Sequence, residues 1–286
     1  MIALHKVAAP RLDRTAKAAD EVAAYERIDS THAKARRLIE RGRFARNDDG
    51  GIAITVVAAG AMDDARGRLG RPWACVPGHS FAISFIVTIP ESVATDDAVN
   101  GWMSMIAGLA TLDAIEGTLD ECGAIPFDPE CGFHLKWPND IYWKDKKICG
   151  ILIENDLSGH HIKRSIAGIG ININQEVFNS DAPNPVSLKQ ITGKEHDRYE
   201  ILAHILRRVQ IYYNSLQMED FAVYSDEIST RYARSLFRRR GLHPYEDANG
   251  KFLARLLRVE QDGRFVLEDE GGSEREYLFK EVQYIL

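Results

Sequence analysis

Residues 133–155 read FHLKWPNDIYWKDKKICGILIEN, and the fold turns on them. A short apolar run ends at Lys136 and is broken by Pro138, which cannot donate to a sheet ladder. Two β-rich segments then follow, with the charged turn 144–147 between them. This spacing predicts a hairpin whose first strand is interrupted. Lys136 stands at the break, beside Trp137 and Pro138. An ammonium next to apolar groups costs free energy unless an anion compensates it, so Lys136 is either simply exposed or placed to meet an anion.

Downstream, SIAGIGININ (165–174) alternates as a strand, and Gly168 and Gly170 leave one face without side chains, so a flat molecule can lie against the backbone. No third glycine and no immediate helix follow, which excludes a dinucleotide fingerprint. Asn172 and Asn174 are either ligand contacts or amides that finish the strand. Upstream, SFAISFIVTI (80–89) reads as a buried strand closed by Pro90, and the apolar run 52–59 as another. Between them lies ARGRLGRPW (65–73), where Arg66, Arg68 and Arg71 alternate with Gly67 and Gly70. Guanidinium groups grip carboxylates and phosphates in pairs of hydrogen bonds, so the expected guest of this loop is an anion. Earlier still, Ser30 and Thr31 precede a helical pattern that Gly42 stops, and their hydroxyls either cap the helix or face a polar ligand.

The remaining segments frame these. Residues 98–119 have apolar spacing for a long helix packed on a sheet, 199–216 for an amphipathic helix, and a further helical stretch runs through Tyr232. Residues 231–240, RYARSLFRRR, serve either the helix dipole or a docking patch. After Gly241 short strands and tight turns, DANG and QDG, predict a small all-β barrel.

Against 42 acidic residues stand 36 Lys plus Arg in 286, which argues against broad capture of nucleic acid or an anionic membrane. Cys75, Cys122, Cys131 and Cys149 form no C-x-x-C pair, and with His134 they match no zinc spacing, so reduced thiols and no protein metal ligands are expected. No run approaches the roughly 18 apolar residues of a membrane span. A cytoplasmic location is the expectation.

Taken together, these stretches resemble the biotin protein ligases, which attach biotin to a lysine of carboxylase carrier domains. DSTH (29–32) is similar to that family's D-S-T-N, ARGRLGRPW to its G-R-G-R-x-G-R-x-W, 136–154 to its K-W-P-N-D hairpin and G-I-L-x-E strand, and GIGININ (168–174) to its G-x-G-I-N strand. The resemblance runs over about residues 25–286 and implies an α/β (α+β) fold. A catalytic domain with a mixed sheet and flanking helices, not a Rossmann sheet, would occupy 25–236, and an SH3-like β-barrel 237–286. Residues 1–24 would be a leader of uncertain structure, too short for the winged-helix domain with which some members bind operator DNA, so no nucleic-acid partner and no membrane are expected.

By the same resemblance, Lys136, Arg66 and Arg68 would be catalytic. Biotin would be bound by Ser30, Thr31, Met62, Ala65, Arg66, Arg68, Lys136, Gly168 and Gly170, and the nucleotide by Arg68, Arg71, Trp73, Lys136, Asn139 and Asn172. The substrates would be biotin and ATP with Mg²⁺, the partner a biotin carboxyl carrier domain, and homodimerisation is left open. A lipoate or octanoate ligase of the same fold and a non-catalytic biotin or nucleotide-binding module are the alternatives. The sequence departs from the family at 62–65, where Met-Asp-Asp-Ala replaces Q-T-A-G, and at His32, which replaces Asn. Two carboxylates beside an anion loop are expected to weaken retention of the adenylate unless they face solvent.

Overall fold

The computed structural model describes residues 21–45, 52–64, 73, 79–89, 99–121, 132–158, 161–178, 184–215 and 221–286. The expected leader up to residue 20, the arginine loop including Ala65, and Cys75, Cys122 and Cys131 lie outside them.

Seven strands form one mixed sheet in the order β1-β2-β3-β7-β6-β5-β4. They are β1 (Glu21–Tyr25), β2 (Ala53–Ala59), β3 (Ser80–Thr88), β4 (Phe133–Lys136), β5 (Asp140–Trp143), β6 (Lys146–Ser158) and β7 (His161–Asn172). Only β1–β2 is a parallel pair. β2 is buried along its whole length and β3 along all but its last residue, because helices cover both faces. On one face Ile54, Val56, Phe81, Ile83 and Phe85 pack with α2 (Val99–Glu121) and α4 (Arg198–Ser215) in the main core. On the other, Val57, Ile86 and Ile166 join Ala35 of α1 (Thr31–Glu40) and Phe44.

The described residues of α2 are buried almost all round, and two of its threonines return their hydroxyls to the helix, Thr111 to Ala107 O and Thr118 to Ala114 O. Short α3 (Leu188–Thr192) is capped reciprocally by Ser187 and Gln190. α5 (Phe221–Ser235) is tied to α2 where Arg231 reaches Asp113 at 2.7 Å and Glu116 at 2.8 Å. Part of the positive run 231–240 therefore serves internal ion pairs.

A second, antiparallel sheet follows in the order β11-β10-β9-β8-β12, built from β8 (His243–Asp247), β9 (Gly250–Val259), β10 (Phe265–Asp269), β11 (Glu274–Tyr277) and β12 (Val282–Tyr284). It is the expected small C-terminal β unit. Trp137 joins it to the first sheet: its Nε1 donates to Gly263 O at 3.0 Å and its ring stacks on Phe265 at 4.8 Å. Nearby, Gly101 of α2 lies so close to the β9–β10 turn that a Cβ there would sit 1.8 Å from Gln261 O. Among the described residues no helix is long and apolar enough to cross a membrane.

Three expectations change. Residues 133–136 and 140–143 are not one interrupted strand. They are antiparallel neighbours, Lys136 opposite Asp140, because 137–139 reverse the chain through a cis Trp137–Pro138 bond. The result is a three-stranded meander, β4-β5-β6. Residues 21–24, assigned to the leader, belong to edge strand β1, whose five residues are too few to reveal a period. β8 was not read as a strand in the sequence, yet it pairs with β9 and β12 and keeps Pro244 in register opposite Leu253.

Candidate active site

One cross-strand row organises the site. Lys136 of β4 lies opposite Asp140 of β5, Asp140 opposite Gly150 of β6, and Gly150 opposite Gly170 of β7; Gly170 in turn faces Ala82 of β3, and Ala82 faces Ala59 of β2. Residues opposite one another in a ladder point to the same face. Two glycines and two alanines therefore strip the middle of this row and leave a trough on the α1 side of the sheet, with a cation at one end.

That cation is held in an unusual way. Lys136 Nζ sits 4.9 Å from the ring centroid of Tyr142 and 4.5 Å from that of Tyr284. Its pKa is lowered, chiefly because burial disfavours the ammonium, and the negative charge of Asp140 opposes this only in part. Asp140 is itself engaged by Lys147, 2.7 Å away. Among the described residues no ion pair joins Lys136 to a carboxylate. A desolvated cation of this kind is completed by an incoming anion.

The α1 side of the trough is built from a short chain of hydroxyls. Ser84 of β3 donates to Thr31 Oγ1 at 2.9 Å, and both the amide and the hydroxyl of Thr31 end on Met62 Sδ, at 3.4 and 3.7 Å. Ser30 caps α1 by accepting from Ala33 N at 3.3 Å, so its capping role is real. Asp29 accepts both terminal nitrogens of Arg37 at 2.7 Å, which fixes the entry to the helix and holds the carboxyl down at about 2.

The stripped glycine face is covered by the chain's own side chains. A Cβ on Gly168 would lie 2.9 Å from His32 Nδ1, and one on Gly170 2.5 Å from Trp73 Cε2. His32 Nε2 is 3.0 Å from Glu154 Oε2 but out of line for a hydrogen bond, which leaves both ring nitrogens without an aligned partner. Burial lowers the His32 pKa more than Glu154 raises it, and Arg36, which pairs with Glu154 and Asp156, lowers it further. The indole nitrogen of Trp73 is also buried without a partner.

The other predicted positions are structurally committed. Asn139 donates to Ile151 O and ties the 137–139 turn to β6. Asn172, buried at the end of β7, donates to Val186 O at 3.2 Å, while Asn174 clasps the His196 backbone with both ends of its amide. Arg66, Arg68, Arg71 and Ala65 lie outside the described residues. The feared repulsion at 62–65 is relieved at one position: Asp63 is exposed and paired with Arg27 at 2.5 Å.

These features fit a site that binds an anion over a small-residue floor, and the comparison with known sequences places the chain in a family. A sequence profile described as the "Biotin/lipoate A/B protein ligase family" matches residues 26–172, just over half of the 286. The chain belongs to that family.

Among curated relatives, the "Bifunctional ligase/repressor BirA" of Bacillus subtilis is 29% identical over 238 residues, covering 78% of this chain and 64% of that protein. The "Biotin--[acetyl-CoA-carboxylase] ligase" of Paracoccus denitrificans is 31% identical over 180 residues, 62% of this chain and 66% of that one. The chain thus spans just under two thirds of the length of these relatives. Among solved structures, the biotin protein ligase of Aquifex aeolicus in complex with biotin and ATP is 27% identical, with a TM-score of 0.66, and covers 93% of this chain and 99% of its own. The resemblance drawn from the motifs is therefore correct at the level of family and fold.

Sequence reasoning missed four contributors: Ser84, Asp140, Lys147 and Tyr284. Lys147 was read as part of a charged turn, yet it is the second residue of β6, and the shift in β5–β6 pairing brings it to Asp140. Only that bulge, absent from any local pattern, distinguishes it from its neighbours.

Proposed function

We propose that this chain is a biotin protein ligase. It joins biotin to MgATP as biotinyl-5′-AMP with release of pyrophosphate, and then passes the biotinyl group to a lysine of a biotin carboxyl carrier domain, releasing AMP. The observation that carries this reading is the row Lys136–Asp140–Gly150–Gly170, a stripped trough ending in a half-buried lysine that, among the described residues, forms no ion pair with a carboxylate. The family profile and the 27% identical ligase solved with biotin and ATP support it.

In this mechanism a carboxylate oxygen of biotin attacks the α-phosphorus, and the bond to the bridging oxygen of pyrophosphate breaks. The acceptor amine then attacks the acyl carbon, loses a proton and expels AMP. Both steps need positioning and charge neutralisation more than a protein nucleophile. Lys136 meets the carboxylate and α-phosphate as their negative charges converge. The glycines let the ligand approach the backbone of β7, with His32 and Trp73 yielding the space above them. Thr31, Ser30 and Met62 border the biotin head, and Trp73, Asn139 and Asn172 the nucleotide. Arg66, Arg68, Arg71 and Ala65 take their parts from the motif alone. Magnesium enters as part of the nucleotide substrate, carried on its phosphates.

The same reading takes residues 25–236, with β1 added at their front, as the catalytic unit, 237–286 as the C-terminal unit, and the cytoplasm as the setting. A lipoate or octanoate ligase is the second reading. One observation favours it: Met62 sets a weakly accepting sulphur, not an amide, against Thr31, which makes that corner more apolar. Pyrophosphate release from MgATP with biotin, lipoate or octanoate supplied in turn decides between them. Adding a carrier domain and weighing its lysine then completes the test. Biotin-dependent release with a labelled carrier is the expected result. Biotin binding without release would leave a binding module and overturn the ligase.

A further inference from the structure

Lysine has four rotatable bonds, and a lysine that must meet two converging anions has to be held before they arrive. Lys136 has no ion pair to hold it among the described residues, and two aromatic rings lie within 5 Å of its ammonium, with Asp140, Lys147 and Arg238 as the charges nearby. We propose that Tyr284, carried by the last strand of the C-terminal sheet, is a positioning residue for Lys136, forming with Tyr142 an aromatic clamp that aims the ammonium at the reacting carboxylate. This inference rests on the reading of Lys136 given above and extends it to the second sheet.

The two rings come from independent directions. Tyr142 belongs to β5, two residues beyond Asp140 and so on the same face of the sheet. Tyr284 comes from β12, which pairs with β8, and its ring is locked among Tyr245, Phe265 and Phe237 with centroids 5.2, 5.7 and 5.8 Å away. The strand end is pinned as well: Ile285 N donates to Pro244 O at 3.1 Å, and Arg238 donates to Ile285 O at 2.9 Å. The Tyr284 hydroxyl is buried beside the Trp137 backbone and makes no aligned hydrogen bond. What this residue offers is its face, 4.5 Å from the ammonium, and a desolvated cation is attracted to the negative face of an aromatic ring. The C-terminal sheet is thereby coupled to the chemistry through one side chain rather than only through the packing of Trp137.

The test uses the full chain, with biotin and MgATP as substrates, pyrophosphate release as the rate, and calorimetric biotin binding as the control. Tyr284→Leu is expected to lower kcat about 10-fold, equivalent to about 1.4 kcal/mol, while the Kd for biotin stays within about twofold. Tyr284→Phe, which keeps the ring and removes only the hydroxyl, is expected to restore the rate. The double variant Lys136→Ala/Tyr284→Leu separates positioning from packing, because a residue that acts through Lys136 adds no loss once the lysine is gone. An unchanged kcat in Tyr284→Leu, a Tyr284→Phe as slow as Tyr284→Leu, or an equal loss with and without Lys136 would each overturn the proposal. If Lys136→Ala itself adenylates normally, the reading of the lysine fails first and takes the clamp with it; if Lys136→Ala is inactive and Tyr284→Leu is not impaired, the clamp alone is wrong.

Discussion

Gly170→Ala isolates the close approach at the centre of the trough. The added methyl would lie 2.5 Å from Trp73 Cε2, 2.6 Å from Nε1 and 2.9 Å from Cζ2. Carbon atoms rest about 3.5–4.0 Å apart, so the indole must retreat by about 1 Å. Overpacking of this kind costs about 1–3 kcal/mol, whereas replacing glycine by alanine in extended backbone returns about 0.5–1 kcal/mol, because Gly170 is not among the positive-φ residues. The net expectation is a loss of about 1–2 kcal/mol in stability. Gly150→Ala is the internal comparator. Its methyl would meet Trp73 Cζ3 at 3.1 Å and the far end of the Lys147 side chain at 3.3 Å, contacts that relax at little cost. Urea unfolding of the two variants and the parent, followed by circular dichroism, ranks them at a common slope. A Gly170→Ala protein as stable as the parent, or no less stable than Gly150→Ala, would refute the claim that the indole rests on the glycine.

Lys136→Ala should slow pyrophosphate release by about 10²–10³-fold with the fold retained, since charge rather than bulk is what the transition state uses; a near-normal rate removes the residue from the chemistry. His32 is kept neutral by burial, so its folded pKa lies below the value near 6.5 of the unfolded chain, and on acidification the unfolded state takes up the proton first. Stability should therefore fall as pH drops below about 6.5, and His32→Asn should flatten that slope in urea midpoints between pH 5 and 7.5; His196, shifted in the same direction by burial, contributes to the slope that remains, as do carboxylates held low, such as Glu154, toward its acid end. An unaltered slope in His32→Asn would contradict the assignment. Trp137→Phe keeps the stack on Phe265 but strands Gly263 O, and should cost about 1–3 kcal/mol against chemical denaturant; no change would mean that water takes over the carbonyl.

Much of this site was legible one stretch at a time. Ser30 and Thr31 announced a helix start because capping is a local bargain between a side chain and the next turn. Gly168 and Gly170 announced a bare face because alternation along a strand is also local. The chain reversal at 137–139 was misread because a break within a strand and a tight turn between two strands leave the same apolar–Pro–apolar trace. Tyr284 could not be read at all: nothing in VQYIL distinguishes a core tyrosine from one that faces a lysine almost 150 positions earlier. The departure at Met62 was visible, but its effect was not, because only the folded chain brings the sulphur to the Thr31 amide.

The sequence by itself determined the family, the α/β class and the strands flanking the candidate site, and it singled out Lys136 as a candidate. Each rests on periodicity, turn chemistry or a motif written within about twenty residues. The tertiary structure alone decided that Lys136, Asp140, Gly150 and Gly170 form one row, that Asp63 turns to Arg27, and that two rings from different sheets close on the ammonium. Strand register and the docking of one sheet on another are set by packing summed over many residues, and no single segment of the chain carries that sum.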